Sequence, residues 1–302
     1  MNSNKLRFCW WNIGLSPAAS RASSRASPEN YDMLVEYIVY LFDAHVLDFL
    51  CLCEVDDDDF NELHNRLAEF KFGLCDLYPK TSTSRSRFDC IAIYNQERFE
   101  VTPQRVLEER VANTNIKVAQ LICVNDLDND SEFFIYLAHW PSRLYESKDL
   151  RRKAASFLWN DAKELINESN NVIFMGDFNA NPFEDCLTDD LNATRCHEMC
   201  RYYPTQFIYN PFWRSLTSEE QLSLDNATQQ FPSGTYYYKK DRKSKWNAFD
   251  QILVSSSLVS DGPWYLNEYE TGVIYDENIY EAFSSKDSHI DHFPIICTID
   301  KV

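Results

Sequence analysis

The stretch Asn171-Val172-Ile173-Phe174-Met175-Gly176-Asp177-Phe178-Asn179 decides how this chain reads. Val172 to Met175 form an unbroken apolar run with the length and composition of a buried strand, closed by a glycine. A carboxylate and a carboxamide follow, so the strand delivers polar groups to the edge of a sheet. The same break recurs along the chain. Leu6–Asn12 reads as a strand ending in Asn12, Asp48–Val55 as an apolar strand with Glu54 at its end, and Phe133–His139 as a strand ending in His139. Ala248-Phe249 leads into Asp250 and then Gln251-Ile252-Leu253-Val254, and Ser288-His289-Ile290-Asp291-His292 precedes Phe293-Pro294-Ile295-Ile296. Any one of these polar residues alone is explained as a turn former or a cap. Six such breaks are different, because strand ends gather at one edge of a multistranded fold and would converge on one site.

Helices alternate with these strands. Ser27-Pro28-Glu29 is a helix start, after which Leu34, Val35, Ile38, Leu41 and Phe42 recur at helical spacing. Phe60, Leu63, Leu67 and Phe70 mark a second helix, and Ala155, Leu158, Ala162, Leu165 and Ile166 give one face to a third over Lys148–Glu168. Further strands are expected at Phe88–Tyr94, Lys117–Val124, Thr235–Tyr238, Phe249–Val254 and Phe293–Ile299, with a less regular stretch over Pro182–Leu224. The absence of a strict βαβ rhythm predicts an α/β fold of two packed sheets with helices outside, rather than one doubly wound sheet.

Composition narrows the classes. In 302 residues, 44% are hydrophobic and 15% aromatic, which excludes a disordered chain. The longest apolar runs, such as Val46–Cys53 with Asp48 inside it, fall far short of the ~18 residues a membrane span needs, so no stable membrane association is expected. Met1–Arg7 is polar and shows no secretory signal. A net charge of −18 argues against a protein that coats nucleic acid, since non-specific affinity comes from Lys and Arg neutralising phosphates. It leaves room for an enzyme whose carboxylates hold cations beside a local basic rim. Of ten cysteines, Cys9, Cys51, Cys53, Cys90, Cys123 and Cys297 lie among apolar neighbours and read as free core residues. Cys196-His197-Glu198-Met199-Cys200 is half of a zinc pattern without a second half. A reduced, cytoplasmic protein is expected.

The converging residues are four carboxylates (Glu54, Asp177, Asp250, Asp291), two carboxamides (Asn12, Asn179) and two imidazoles (His139, His292). Oxygen-rich sites of this kind suit Mg²⁺ or Mn²⁺ rather than zinc. Mg²⁺ takes about one or two carboxylates and leaves its other positions to water and phosphate. The spare carboxylates can hold an imidazole in its working tautomer or position an attacking water. Hydrolysis of a phosphate ester is the chemistry that uses this set.

This ordered set closely resembles the endonuclease/exonuclease/phosphatase superfamily of deoxyribonuclease-like, metal-dependent phosphohydrolases, from Trp11-Asn12 to Asp291-His292-Phe293-Pro294. Gly-Asp-Phe-Asn at 176–179 is the most specific piece, supported by Asp250-Gln251-Ile252. The resemblance implies a four-layer α/β sandwich, two packed mixed β-sheets flanked by helices, as a single catalytic domain over 1–302. It implies that Glu54 is the principal metal-binding residue, that Asp291 approaches the same ion, and that Asn12 lies at the metal and phosphate end of the first strand. Asp177 and Asn179 resemble the pair that orients the nucleophilic water and a phosphate oxygen. His292 resembles the general base or transition-state stabiliser, held by the aspartate that Asp250 matches. His139 fills a slot that is histidine in deoxyribonuclease-like and sphingomyelinase-like members and tyrosine in abasic-site endonucleases, a departure from the repair-enzyme pattern. Asp89 loosely matches the acidic support of that second histidine, a plain strand-start aspartate being the alternative. His289 is expected to be an exposed loop residue.

Substrate contacts are read from two segments. Arg143, in His139-Trp140-Pro141-Ser142-Arg143, can fork onto a phosphate. Residues 236–246 hold five cations and four aromatics, and Tyr237, Lys240 and Trp246 are the candidates for stacking on bases and following a backbone. A charged surface hairpin is the alternative, and Arg21 and Arg25 are either an extension of the rim or a solvated loop. The leading function is a Mg²⁺- or Mn²⁺-dependent phosphodiesterase acting on nucleic acid, as an endonuclease that favours short, single-stranded or unusual substrates. The alternative is a phosphatase or phosphodiesterase for inositol phosphates, lipid head groups or small nucleotides. Its lipid version is weakened because Trp264-Tyr265-Leu266, the one candidate docking segment, reads as core. A non-catalytic binding protein is disfavoured because every expected catalytic position holds a competent residue. No obligate protein partner is expected.

Overall fold

Residues 4–17, 26–77, 89–111, 114–143, 147–218, 220, 223–225, 232–260, 262–284 and 288–302 are described by the computed structural model. Alternation along β1 (Lys5–Asn12) shows how the layers arise: Phe8 and Trp10 enter one core while Cys9 and Trp11 enter another. This strand sits inside a six-stranded sheet ordered β14 (Trp264–Val273), β15 (Ile295–Lys301), β1, β2 (Phe49–Cys53), β4 (Cys90–Asn95), β3 (Phe72–Asp76). Only β1 and β2 pair in parallel there. The second sheet has seven strands, ordered β5 (Phe99–Val111), β6 (Thr114–Asp126), β7 (Ser131–His139), β8 (Asn171–Asp177), β13 (Asp250–Val254), β10 (Ile208–Tyr209), β9 (Ala193–Thr194). A separate two-stranded ribbon joins β11 (Tyr236–Tyr237) to β12 (Trp246–Asn247).

The two large sheets face each other across one apolar core, to which Phe8, Trp10, Phe49, Phe133, Met175 and Ile252 contribute. On the outer side of the first sheet lie α1 (Pro28–Ala44), α2 (Asp57–Arg66) and α5 (Glu277–Ser284), packed through Leu34, Ile38, Leu63 and Ile279. The long α3 (Lys148–Asn167) covers the second sheet with Ala155, Leu158 and Ala162. These are the four layers of an α/β sandwich with two mixed sheets. No helix among the described residues is long and apolar enough to cross a membrane.

Helix starts follow their local chemistry. The Ser27 side chain accepts the N–H of Asn30 ahead of Pro28, and Asp56 and Asp59 form a reciprocal capping box at the start of α2. The second helix ends at Arg66, with Leu67 as its cap, so Phe70 lies in the turn beyond it. Residues 182–218 hold more regular structure than their sequence suggests, with β9, β10 and the short α4 (His197–Tyr202). Cys200 is buried, Cys196 is exposed and His197 pairs with Glu268, so this segment gathers no zinc ligand set. Trp264 and Leu266 are core residues of β14. Arg21 and Arg25 lie outside the described residues.

At the start of β1, away from the strand ends that carry the polar breaks, a buried ion network ties the sheets together. Arg98, 4% exposed, donates to Asp48 Oδ1 at 3.0 Å, to the Lys5 carbonyl at 3.1 Å and to both Asp126 oxygens at 3.2 Å. Removing one partner of such a pair strands buried charge, at a cost of about 3–5 kcal/mol. Arg98→Ala is therefore expected to lower the unfolding free energy by that amount in urea titrations. A loss below about 1 kcal/mol would show that the network is not the tie it resembles.

Candidate active site

Strand register assembles the site. Ala138 and His139 of β7 pair with Gly176 and Asp177 of β8, and Asp177 also pairs with Asp250 of β13. His139, Asp177 and Asp250 therefore lie side by side at one sheet edge. The first sheet brings Asn12 from β1 and Glu54 from just beyond β2, and the segment before β15 supplies Asp291 and His292. Gly176 is required by proximity, because a Cβ there would run into the Ala138 carbonyl. Glu54 and Asn179 adopt left-handed backbones, with φ of 61° and 49°. For a non-glycine residue that costs on the order of 1 kcal/mol or more, and such residues cluster at functional sites. Two backbone bonds hold the Glu54 turn: Ser16 N–H donates to the Glu54 carbonyl at 2.7 Å and Val55 N–H to the Asp89 carbonyl at 3.2 Å.

Two imidazoles are braced in the same way. His292 Nδ1 lies 2.6 Å from Asp250 Oδ2, while its Nε2 faces Asp177 Oδ2 at 4.0 Å. His139 Nδ1 lies 3.0 Å from Asp89 Oδ2, while its Nε2 faces Glu54 Oε1 at 3.8 Å. The bracing carboxylates are themselves anchored. Trp10 Nε1 donates to Asp250 Oδ1 at 3.0 Å, and Lys117 Nζ donates to Asp89 Oδ1 at 3.1 Å. Asp177 accepts the Asn179 N–H at 2.8 Å and the Asn12 side-chain amide at 3.3 Å. Asn12 also accepts the Gly14 N–H, so it supports Asp177 and is not among the residues lining the cavity.

Charge follows from this packing. Burial pushes the Glu54 carboxyl up; His139 opposes the rise, and the negative charges of Asp89 and Asp291 add to it. Burial and the neighbouring Asp250 likewise raise Asp177. Burial would lower both histidines, but their aspartates outweigh it, taking His139 up to about 9 and His292 up to about 10. Asp89 is driven the other way: burial would raise it, and Lys117 and His139 together pull it down.

These groups surround a cavity of about 520 Å³, lined by Glu54, His139, Asp177, Asn179, Asp291 and His292 together with Ser142, Arg143, Tyr236, Tyr238, Asp241 and Phe249. Arg143 leans over the Phe249 ring at 4.7 Å, donates to the Asn179 carbonyl at 3.1 Å and pairs with Glu184. Placement differs from expectation at four positions. Tyr237 and Trp246 pack on each other at 5.0 Å, with Trp246 stacked on Phe283 and Phe293, because alternation along the ribbon turns them away from the cavity. Lys240 is exposed in the ribbon's turn and does not line the cavity. His289 is 6% exposed rather than a surface residue, carried inward beside Ile290, which packs in the outer core. Tyr236, Tyr238 and Lys117 were not singled out from the sequence. The two tyrosines lie in the aromatic segment 236–246, where the sequence does not tell them from Tyr237, and Lys117 reads only as the start of a strand.

A divalent cation fits the donors at hand. Glu54 and Asp291 bring carboxylate oxygens to the cavity within electrostatic reach of each other. Two further groups, Cys53–Asp89–His139 and Asp177–Asp250–His292, each hold three ligand-type atoms within 4.8 Å. In both of them the histidine Nδ1 already contacts its aspartate.

The chain belongs to the endonuclease/exonuclease/phosphatase family, whose model matches residues 29–299. Members of that superfamily are phosphoric ester hydrolases, generally dependent on a divalent metal. Solved structures share the fold. The catalytic domain of human Nocturnin with bound sulfate has 18% identity and a TM-score of 0.60, over 99% of this chain and 95% of that one. A mannosyl-6-phosphatase of Bacteroides thetaiotaomicron has 13% identity and a TM-score of 0.64, over 97% and 99%. D. rerio TDP2 complexed with a single-strand DNA product has 14% identity and a TM-score of 0.55, over 98% and 99%. No curated protein matches the chain.

The raised histidines make stability depend on pH. In metal-free protein they keep protons that the unfolded chain loses above its ordinary value of 6.5. Their contribution is complete below that value and disappears as pH rises through about 9 to 10. Urea midpoints in EDTA are expected to fall between about pH 7 and pH 10, with a shallower fall in His292→Asn. Identical pH profiles for the two proteins would remove the His292–Asp250 pair as the source.

Proposed function

We propose that this chain is a divalent-metal-dependent phosphodiester hydrolase acting on nucleic acid as a nuclease, with one catalytic domain over residues 1–302. The observation that carries this reading is the paired arrangement of braced imidazoles, each directing Nε2 toward a carboxylate across one cavity. Glu54 and Asp291 would hold Mg²⁺ or Mn²⁺. Bound there, the ion would supply Lewis-acid polarisation of the phosphate.

The chain's own residues supply the rest. Asp177, raised by burial, and Asn179 orient a water for in-line attack on phosphorus. Asp177 takes the water's proton as the new P–O bond forms, and the P–O bond to the leaving oxygen breaks as that oxygen receives a proton from one of the two imidazoliums. Protonated His292 and His139 donate toward the phosphate oxygens as negative charge builds on them, from positions that are themselves buried. Asp250 and Asp89 fix each ring's orientation through Nδ1. Asn12 keeps Asp177 in place, and Arg143, held by Asn179 and Glu184, offers its fork to a phosphate. Nucleic acid is the substrate class because a lysine- and arginine-rich turn borders this cavity on an otherwise acidic protein. Ten free cysteines fit the cytoplasmic setting expected from the sequence.

Turnover of bis(p-nitrophenyl) phosphate and of labelled oligonucleotides tests the reading. His292→Ala and Asp177→Ala are each expected to lower kcat by about 10²–10⁴ while keeping the wild-type circular dichroism spectrum. Near-wild-type rates in either variant would contradict the assigned roles. Glu54→Ala is expected to raise the Mg²⁺ or Mn²⁺ concentration needed for half-maximal rate, and EDTA to stop the wild type. An unchanged metal titration would take Glu54 out of the site.

A further inference from the structure

We propose that Tyr238 and the cationic turn after it form the approach site for a single strand of nucleic acid, with one unstacked base lying on the Tyr238 ring. This rests on the hydrolase reading above for where the scissile phosphate sits. In the ribbon, Tyr236 pairs with Asn247 and Tyr237 with Trp246, so Tyr236 and Tyr238 share the face turned to the cavity. Their rings are near parallel, at 6.5 Å and 12°. Tyr236 is covered, packed on Phe249 at 5.5 Å and on His292 at 4.6 Å, which makes it a positioning residue. Tyr238 is 42% exposed while lining the same cavity as Arg143 and His292. It therefore offers an aromatic face beside the groups that handle phosphate.

The turn beyond Tyr238 presents Lys239, Lys240, Arg242, Lys243 and Lys245, all exposed and, among the described residues, none in an ion pair with a carboxylate. Several exposed cations elsewhere are matched, Arg105 with Asp161, Lys148 with Asp185, Arg152 with Asp190 and Lys71 with Glu97. Those that are not, such as Arg110, Lys153, Lys163 and Arg195, are scattered along the chain, whereas the turn gathers its five between 239 and 245. The turn is shaped for this display by Asp241, whose carboxylate accepts the N–H groups of Lys243 at 2.8 Å and Ser244 at 3.3 Å. Five cations against the single carboxylate of Asp241 leave this short turn strongly positive on a body of net charge −18, a match for an external polyanion. Duplex is the poorer match. Its bases are already stacked and cannot lie on Tyr238, and its denser charge meets more repulsion from the acidic body.

Fluorescence anisotropy with a fluorescein-labelled oligothymidylate of about 12 nucleotides, and with a blunt duplex of equal length, tests this directly. Binding is measured in EDTA, which is expected to stop turnover and removes no proposed ligand from the ribbon, since Glu54 and Asp291 lie outside it. Wild type is expected to bind the single strand about tenfold or more tighter than the duplex, and Tyr238→Ala to weaken it by roughly 5- to 100-fold. Tyr238→Phe restores binding, since stacking needs the ring and not the hydroxyl. Changing Lys239, Lys240, Lys243 and Lys245 together to Glu is expected to weaken binding and to flatten log Kd against log salt by about 0.7 per lost phosphate contact. Equal affinity for duplex, wild-type binding by Tyr238→Ala, an unchanged salt slope, or no measurable binding would each overturn the proposal. Intact binding without hydrolysis in Mg²⁺ or Mn²⁺ would instead defeat the hydrolase reading and leave the approach site standing.

Discussion

Everything at this site depends on the register of β7, β8 and β13. A strand's side chains alternate between faces, so a slip of one residue would turn Asp177 or Asp250 away and place an apolar neighbour in the site. The register is pinned on one side by Gly176, where β8 approaches Ala138 too closely for any side chain. On the other side Phe178 N–H donates to the Phe249 carbonyl at 2.9 Å. Holding two carboxylates directly opposite each other is repulsive, and the Asp177 carboxyl, raised first by burial, is raised further by Asp250. The compensation comes from the other sheet: His292 lies 2.6 Å from Asp250, and the Trp10 indole donates to the same carboxylate. The site is thus a product of the packing between sheets, and neither sheet alone would hold it.

Charge is organised in two regimes. Inside the cavity, anions and cations face one another at close range, and each imidazolium is sustained by an aspartate. Outside, a body of net charge −18 carries a cluster of five cations at Lys239–Lys245 beside the cavity. A net negative field repels polyanions at long range, and the cationic turn at the cavity mouth offsets it locally. The fold family accommodates many phosphate esters, so substrate choice has to come from such local features and not from the scaffold.

Much of this was legible in the sequence because the informative residues break strong patterns. Asp177, Asp250 and His292 interrupt apolar strands, and a polar residue at the end of a buried strand stands out. The two-sheet architecture followed from strands without a regular crossover rhythm. What stayed hidden depends on tertiary context. β5 is mostly solvent-facing and contains Pro103, so it lacks the apolar signature of its neighbours, and β14 carries an irregularity between Asn267 and Gly272 that breaks its alternation. Which tyrosine of Tyr236-Tyr237-Tyr238 faces the cavity is a matter of parity, settled only by the pairing with Asn247 and Trp246. Lys117 and Trp10 act from other strands, and His289 is buried beside Ile290, which packs in the outer core.

The central claim is that these strand ends create one cation site between Glu54 and Asp291, flanked by the two braced histidines. Crystals grown with Mn²⁺ and measured at the manganese absorption edge would locate the ion directly. An anomalous peak bridged by the Glu54 and Asp291 carboxylates, absent in Glu54→Ala, is the expected result. A peak seated instead on Cys53, Asp89 and His139, or no peak at saturating Mn²⁺, would contradict the account.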